Sequence, residues 1–157
     1  MFYKLAFSTF NSLFAKRMAA VDKKHWEDIY AHKTPDEVSW TQPVLGSAAA
    51  IFNKVKLDLD AKLIDVGSGR IGMIDYWLGK GYKNITALDI SGNALEHLSQ
   101  DFLNTGGKHI KTIEADVLEY NTTDLYDYWN DRAVFHFLTL ESDQQQYVKQ
   151  VNELVGK

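Results

Sequence analysis

Apolar and polar positions along this chain change period in a repeating order. Leu63, Ile64 and Val66, broken only by Asp65, form the short and nearly continuous run of a strand buried on both faces. Ile71, Ile74, Trp77 and Leu78 follow at helical spacing. They predict a helix over about 70–80 that Gly79 and Gly81 can end. The cycle then repeats. Residues 84–89 (NITALD) form a second apolar run, and Ser91 is a natural N-cap for a helix with Ala94, Leu95, Leu98 and Phe102 inward. Residues 109–115 alternate as a third strand and 125–131 make a fourth. A last helix is marked by Tyr147, Val148, Val151, Leu154 and Val155, with Ser142-x-x-Gln145 as its capping box. Strands alternating with helices imply βαβ units. The expected fold is therefore α/β, a doubly wound parallel sheet with helices on both faces.

Two further helices are expected upstream. Residues 22–33 place Trp26, Ile29 and Tyr30 on one face and stop at Thr34-Pro35, because proline lacks the donor and its predecessor avoids helix. A second starts at Pro43, with an apolar stripe of Val44, Leu45, Ala48, Ile51, Phe52 and Val55. Residues 1–21 differ in character. They hold Lys4, Lys16 and Arg17 but no acid, with Tyr3, Phe7, Phe10, Phe14, Met18 and Val21 at helical spacing. That pattern fits an N-terminal helix packed on the domain or a mitochondrial transit peptide. The expected organisation is an amphipathic extension over 1–21 and one domain over 22–157. The expected location is intracellular, in the cytoplasm or the mitochondrial matrix.

Composition narrows the chemistry. A chain of 157 residues with 45% hydrophobic and 24% charged residues is one ordinary globular domain. The absence of cysteine excludes disulfides, thiolate metal sites and a cysteine nucleophile. A net charge of -4 without a long basic run argues against nucleic acid as a partner. No apolar run reaches the length of a membrane span. The five histidines show no metal-ligand spacing, so no metal site is expected.

The informative residues stand where strands end. Asp65-Val66-Gly67-Ser68-Gly69 closes the first strand, and Asp89 closes the second, 22 residues after Gly67. Asp116 and Asp131 close the third and fourth. Gly67, Gly69 and Gly72 also satisfy G-x-G-x-x-G by count. With Gly72 placed inside the following helix, the working part is D-x-G-x-G. In a doubly wound sheet, ligands bind outside the carboxyl ends of the strands. Each acid alone reads more simply as a charge at a helix N-terminus. Four at successive strand ends beside a glycine turn point instead to a nucleoside-containing cofactor. Asp89 suits ribose hydroxyls and Asp116 an adenine amino group. A negative pocket favours a cationic sulfonium over the pyrophosphate of a nicotinamide dinucleotide.

At these residues a family resemblance enters. LIDVGSG, ALDIS and EADVLEY resemble the first three motifs of class I S-adenosylmethionine-dependent methyltransferases. HWEDIYAHKTPDEVSWTQP and YDYWNDRAVFHFLT resemble flanking blocks of a small-methyltransferase branch related to thiopurine-, thiol- and lysine-methyltransferase-like proteins. The resemblance spans about residues 22–155. It implies S-adenosyl-L-methionine as cofactor and methyl transfer to a small molecule or a protein side chain. Carried over by position, it puts Asp65 and Gly67-Ser68-Gly69 at the methionine part and Asp89 at the ribose. Ile90 would lie against the adenine, with Asp116 and the Val117 amide on its edge. Trp40 would lie in the segment that lids the site, and Asp131 near the reacting methyl. His136, inside the apolar run AVFHFL, reads as structural rather than as a general base. Arg132 is placed to pair with a carboxylate or meet an acidic substrate.

Members of that family usually continue with a fifth strand and a final hairpin, whereas this sequence ends at NELVGK. The expectation is a Rossmann-like sheet lacking the usual last strands. Its fourth strand would be an exposed edge, open to homodimerisation. The alternative function is a SAM-binding or interaction module without turnover.

Overall fold

A computed structural model describes residues 23–34, 37–38, 46–70, 72–104, 110–132 and 134–156. The extension over 1–21, Trp40, and Pro43 to Leu45 lie outside the described residues. Helix α1 runs over 23–32. It is followed by α2 (Gly46–Phe52), β1 (Lys62–Val66), α3 (Ile74–Gly79), β2 (Asn84–Asp89), α4 (Gly92–Asn104), β3 (Lys111–Glu114), β4 (Tyr128–Asp131), a 3-10 turn (Phe135–Phe137) and α5 (Glu141–Leu154). The four strands form one sheet in the order β3-β2-β1-β4, and every pairing is parallel. The fold is the expected Rossmann-like α/β sheet.

Alternation along the strands divides the core. In β1, Leu63 turns to one face, toward Phe52 of α2, Ile74 and Trp77 of α3, and Leu95 and Leu98 of α4. Ile64 and Val66 turn to the other, toward Tyr147 and Leu154 of α5. A period of two thus feeds two apolar layers, one on each side of the sheet. Trp77, Leu63, Ile64 and Ile74 are fully buried, and burying side chains of this size contributes about 1.5–3 kcal/mol each.

Several elements differ from the sequence pattern. Helix α3 begins at Ile74 rather than near residue 70, and Gly72 precedes it. Gly72 is therefore part of the turn and not of the helix. A Cβ on Gly72 would stand 2.3 Å from Asp65 Oδ2. The turn runs longer because that buried carboxylate accepts the Met73 N–H at 3.2 Å, which delays the first helical turn. Helix α5 begins at Glu141, and Leu140 is its N-cap with no side-chain bond. Ser142 sits inside the helix and bonds Asp143, so the expected capping box does not form. Val148 is 49% exposed and faces solvent. In α2 only Phe52 is buried, and Ile51 is 59% exposed. No helix links β3 to β4, where a turn over 117–119 replaces it.

Among the described residues β4 is a sheet edge, as expected, but that edge is not wholly bare. Tyr126 donates its N–H to Leu154 O at 2.8 Å, and Gly156 donates to Tyr126 O at 2.9 Å. Tyr126 and Val155 thereby form a parallel bridge just before β4. The end of α5 starts a fifth strand position beside the fourth.

Candidate cofactor site

Parallel pairing sets the strand ends side by side. Val66 of β1 is level with Leu88 of β2 and with Asp131 of β4, and Asp89 is level with Glu114 of β3. The glycine turn extends this pairing, since Gly67 N and Ser68 N both donate to Leu88 O, at 2.8 and 3.2 Å. Gly67 and Gly69 have φ of 63° and 57°, in the left-handed region that other residues enter only at a cost. Both are also crowded. A Cβ on Gly67 would lie 2.2 Å from Val134 Cγ2, and one on Gly69 would lie 2.7 Å from the Tyr30 hydroxyl. The turn is thus pressed between the chain that follows β4 and helix α1.

Asp89 holds this turn. Its Oδ2 accepts Gly69 N–H at 2.8 Å and its Oδ1 accepts Ser91 N–H at 2.9 Å. Burial raises its pKa to about 6, against the pull of these main-chain donors, and the nearby Glu27 charge adds to the rise. Asp65 lies beneath the turn. Its Oδ1 takes a 2.6 Å bond from Asn130 Nδ2 and its Oδ2 the Met73 N–H. Burial pushes Asp65 also to about 6, opposed first by the Asn130 bond. Ser68 is 2% exposed, and its Oγ has no hydrogen-bond partner.

Among the described residues, the other positions singled out from sequence lie at or just after the carboxyl ends of the strands. Ile90 directly follows Asp89 and is half-buried. Asp116 accepts the Leu118 N–H at 2.9 Å in a tight turn after β3, with Val117 buried beside it. Asp131 Oδ1 accepts the Val134 N–H at 2.8 Å, and its Oδ2 accepts the Phe135 N–H at 3.0 Å and the Tyr147 hydroxyl. Trp129 Nε1 donates to the same hydroxyl at 2.9 Å. In this arrangement Asp131 anchors the turn that lays Val134 on Gly67. His136 is exposed in that turn. Two clefts, of about 410 and 290 Å³, flank β4. The larger is lined by Trp129, Asp131, Arg132, His136 and Tyr147, and the smaller by Ile51, Asn130 and Arg132.

Three contributors escaped the sequence reading. Tyr30 reaches Gly69, Glu27 reaches the first turn of α4, and Asn130 holds Asp65. Tyr30 was visible as an inward residue of α1. Nothing in the spacing told which strand end α1 would meet.

A glycine turn, a buried acid at the end of the second strand and another acid after the third lie along the carboxyl ends of the strands. The fold is that of the class I S-adenosylmethionine-dependent methyltransferases, and solved members of that fold superimpose on this chain. A Clostridium acetobutylicum S-adenosylmethionine-dependent methyltransferase aligns with a TM-score of 0.58 at 20% identity, over 97% of this chain and 54% of its own. A Burkholderia thailandensis 1,6-didemethyltoxoflavin-N1-methyltransferase, solved with 1,6-didemethyltoxoflavin and S-adenosylhomocysteine, gives 0.66 at 20% identity, over 89% and 59%. By sequence the chain is 24% identical to human EEF1A lysine methyltransferase 2, over 85% of this chain and 62% of that protein. The chain spans less than two thirds of each of these proteins. No protein-family model matches the sequence.

Proposed function

We propose that this protein binds S-adenosyl-L-methionine and transfers its methyl group to a small molecule or a protein side-chain nucleophile. The observation that carries the reading is the turn itself. Gly67 and Gly69 adopt left-handed backbone, and Gly69 N–H is fixed to the buried Asp89 carboxylate at the end of the second strand. The residues suit the cofactor chemically. Glycines let main chain approach a ligand, and the unpartnered Ser68 Oγ offers a hydroxyl in the cradle. Asp89 would accept the ribose hydroxyls, Ile90 would cover the adenine, and Asp116 with the Val117 amide would read its edge. Asp65 would support the methionine end from beneath, and Trp40 belongs to the segment that by resemblance lids the site.

When bound, the sulfonium supplies an electrophilic methyl that an incoming thiol, amine or oxygen can attack. What this chain adds is alignment and exclusion of water. Asp131 would act through the turn that seats Val134 on Gly67, and so shape the wall near the reacting methyl. The aromatic cleft on the α5 side of β4 is the proposed place of the acceptor, since it opens beside Asp131. The open part of the β4 edge, beyond the bridge at Tyr126, would pair with a second copy. Sedimentation as a monomer at high micromolar concentration would dismiss that pairing.

Transfer of tritiated methyl from labelled S-adenosylmethionine into cell extract tests the catalytic reading. Incorporation above a control with Asp89→Ala supports it. Cofactor binding with no incorporation favours a binding module without turnover.

A further inference from the structure

The carboxyl ends of β1 and β2 are covered, not open. Asp89 is 6% exposed, and Ser91 is fully buried. The covering element is α1, which touches three parts of the site. Lys23 pairs with Glu114 at the end of β3, at 2.5 Å. Tyr30 sets its hydroxyl against Gly69. Trp26 packs edge-on against Phe137 in the turn after β4, with ring centroids 5.2 Å apart.

The strongest attachment is Glu27. Its Oε1 accepts the Gly92 N–H at 2.7 Å, and its Oε2 accepts the Asn93 N–H and the Ser91 hydroxyl, both at 3.2 Å. Asn93 Nδ2 returns a bond to Glu27 O at 3.3 Å. A carboxylate from one helix therefore supplies the cap of another, 65 residues away in sequence. The first N–H groups of a helix need acceptors and favour negative charge. Ser91 alone satisfies only Ala94 N–H, at 3.2 Å. Glu27 completes the cap, and the same contact holds α1 over Asp89 and the glycine turn. The Lys23–Glu114 pair is half-exposed at both ends, so it holds the helix weakly.

We propose that Glu27 is a positioning residue, a latch that keeps α1 shut over the cofactor cradle and sets how fast the cofactor enters and leaves. The proposal rests on the cofactor reading above. Releasing the latch uncovers the cradle and leaves Gly67, Ser68, Gly69 and Asp89 in place. Association and dissociation should therefore quicken together while affinity changes little.

The test compares wild type, Glu27→Gln and Glu27→Ala. In the cofactor-free protein, hydrogen exchange is expected to rise at least tenfold in α1, Gly69 and Gly92 for Glu27→Ala, with β1 and β2 unchanged. Glu27→Gln keeps an acceptor and should fall between. Stopped-flow binding of S-adenosylhomocysteine should show both rate constants raised at least fivefold in Glu27→Ala, with the dissociation constant within about threefold. Unchanged α1 exchange in folded variants would overturn the latch. So would a rise in the dissociation rate alone, which would make Glu27 a binding group. Absence of ligand binding by the wild type would instead remove the cofactor reading and leave the exchange result to decide the latch.

Discussion

Replacing Gly72 by alanine is a sharp probe of how the cradle is built. Gly72 lies outside α3, so helix propensity does not enter, and its φ is not in the left-handed region. The cost is steric. A methyl group there would sit 2.3 Å from Asp65 Oδ2 and 3.1 Å from Ser68 O. The backbone oxygen is fixed by the turn, so the carboxylate must yield. Moving it strains the bonds from Met73 N and Asn130 Nδ2 inside a site where Asp65 is 3% exposed. Overpacking costs about 1–3 kcal/mol, and a bond to a charged group contributes about 1.5–3 kcal/mol, of which the displacement forfeits about half. Gly72→Ala should therefore destabilise the fold by about 2–4 kcal/mol. Urea unfolding of Gly72→Ala, Asp65→Ala and the double variant closes a thermodynamic cycle. With the carboxylate gone, the added methyl has room. The double variant should then be more stable than the sum of singles by at least about 1 kcal/mol. Additive losses would show that Asp65 and Gly72 do not share this space, and would refute the packing argument.

Other consequences follow from the same contacts. The carboxyls of Asp65 and Asp89 have pKa values of about 6 against an ordinary 3.8, so the folded state binds more protons than the unfolded between about pH 4 and 6. Stability should be highest at the acid end of that window and fall as pH rises through it, by at most about 3 kcal/mol per group. Urea midpoints from pH 7 to pH 5 should therefore rise for wild type and rise less for Asp89→Asn, and a flat wild-type profile would contradict the assigned burial. Tyr147→Phe removes the hydroxyl shared by Asp131 and Trp129, and should cost about 1–2 kcal/mol of stability by denaturant unfolding. A cost near zero would mean that this network is exchanged for water without loss.

The sequence announced what depends on local period. The four strands, the inward face of α4 and the Ser91 cap are each written within a dozen residues, and each forms, although the third strand is confined to Lys111–Glu114 and the fourth, expected from 125, starts only at Tyr128. The acids at the strand ends were legible because parallel pairing converts chain order into a shared rim. What could not be read depends on distant partners. Gly72 looked helical because Ile71 and Ile74 continue an apolar period, yet the Asp65 carboxylate takes the Met73 N–H and postpones the helix. Ser142 matched a capping box by letter, but the chain enters α5 through Leu140 and passes the serine by. Glu27 carried no local mark at all, since the helix it caps lies on another part of the chain. The bridge between Tyr126 and Val155 was hidden for the same reason, and it narrows the edge that alternation alone left open.

The turn at Gly67-Ser68-Gly69, held by Asp89, is the proposed cradle for S-adenosylmethionine. Titration calorimetry of the 157-residue chain tests it most directly. Binding heat is expected with S-adenosylmethionine and none with NAD, and Asp89→Ala should weaken binding by about 1–3 kcal/mol through loss of charge-assisted bonds. No heat with S-adenosylmethionine, or unchanged affinity in a folded Asp89→Ala variant, would contradict the account.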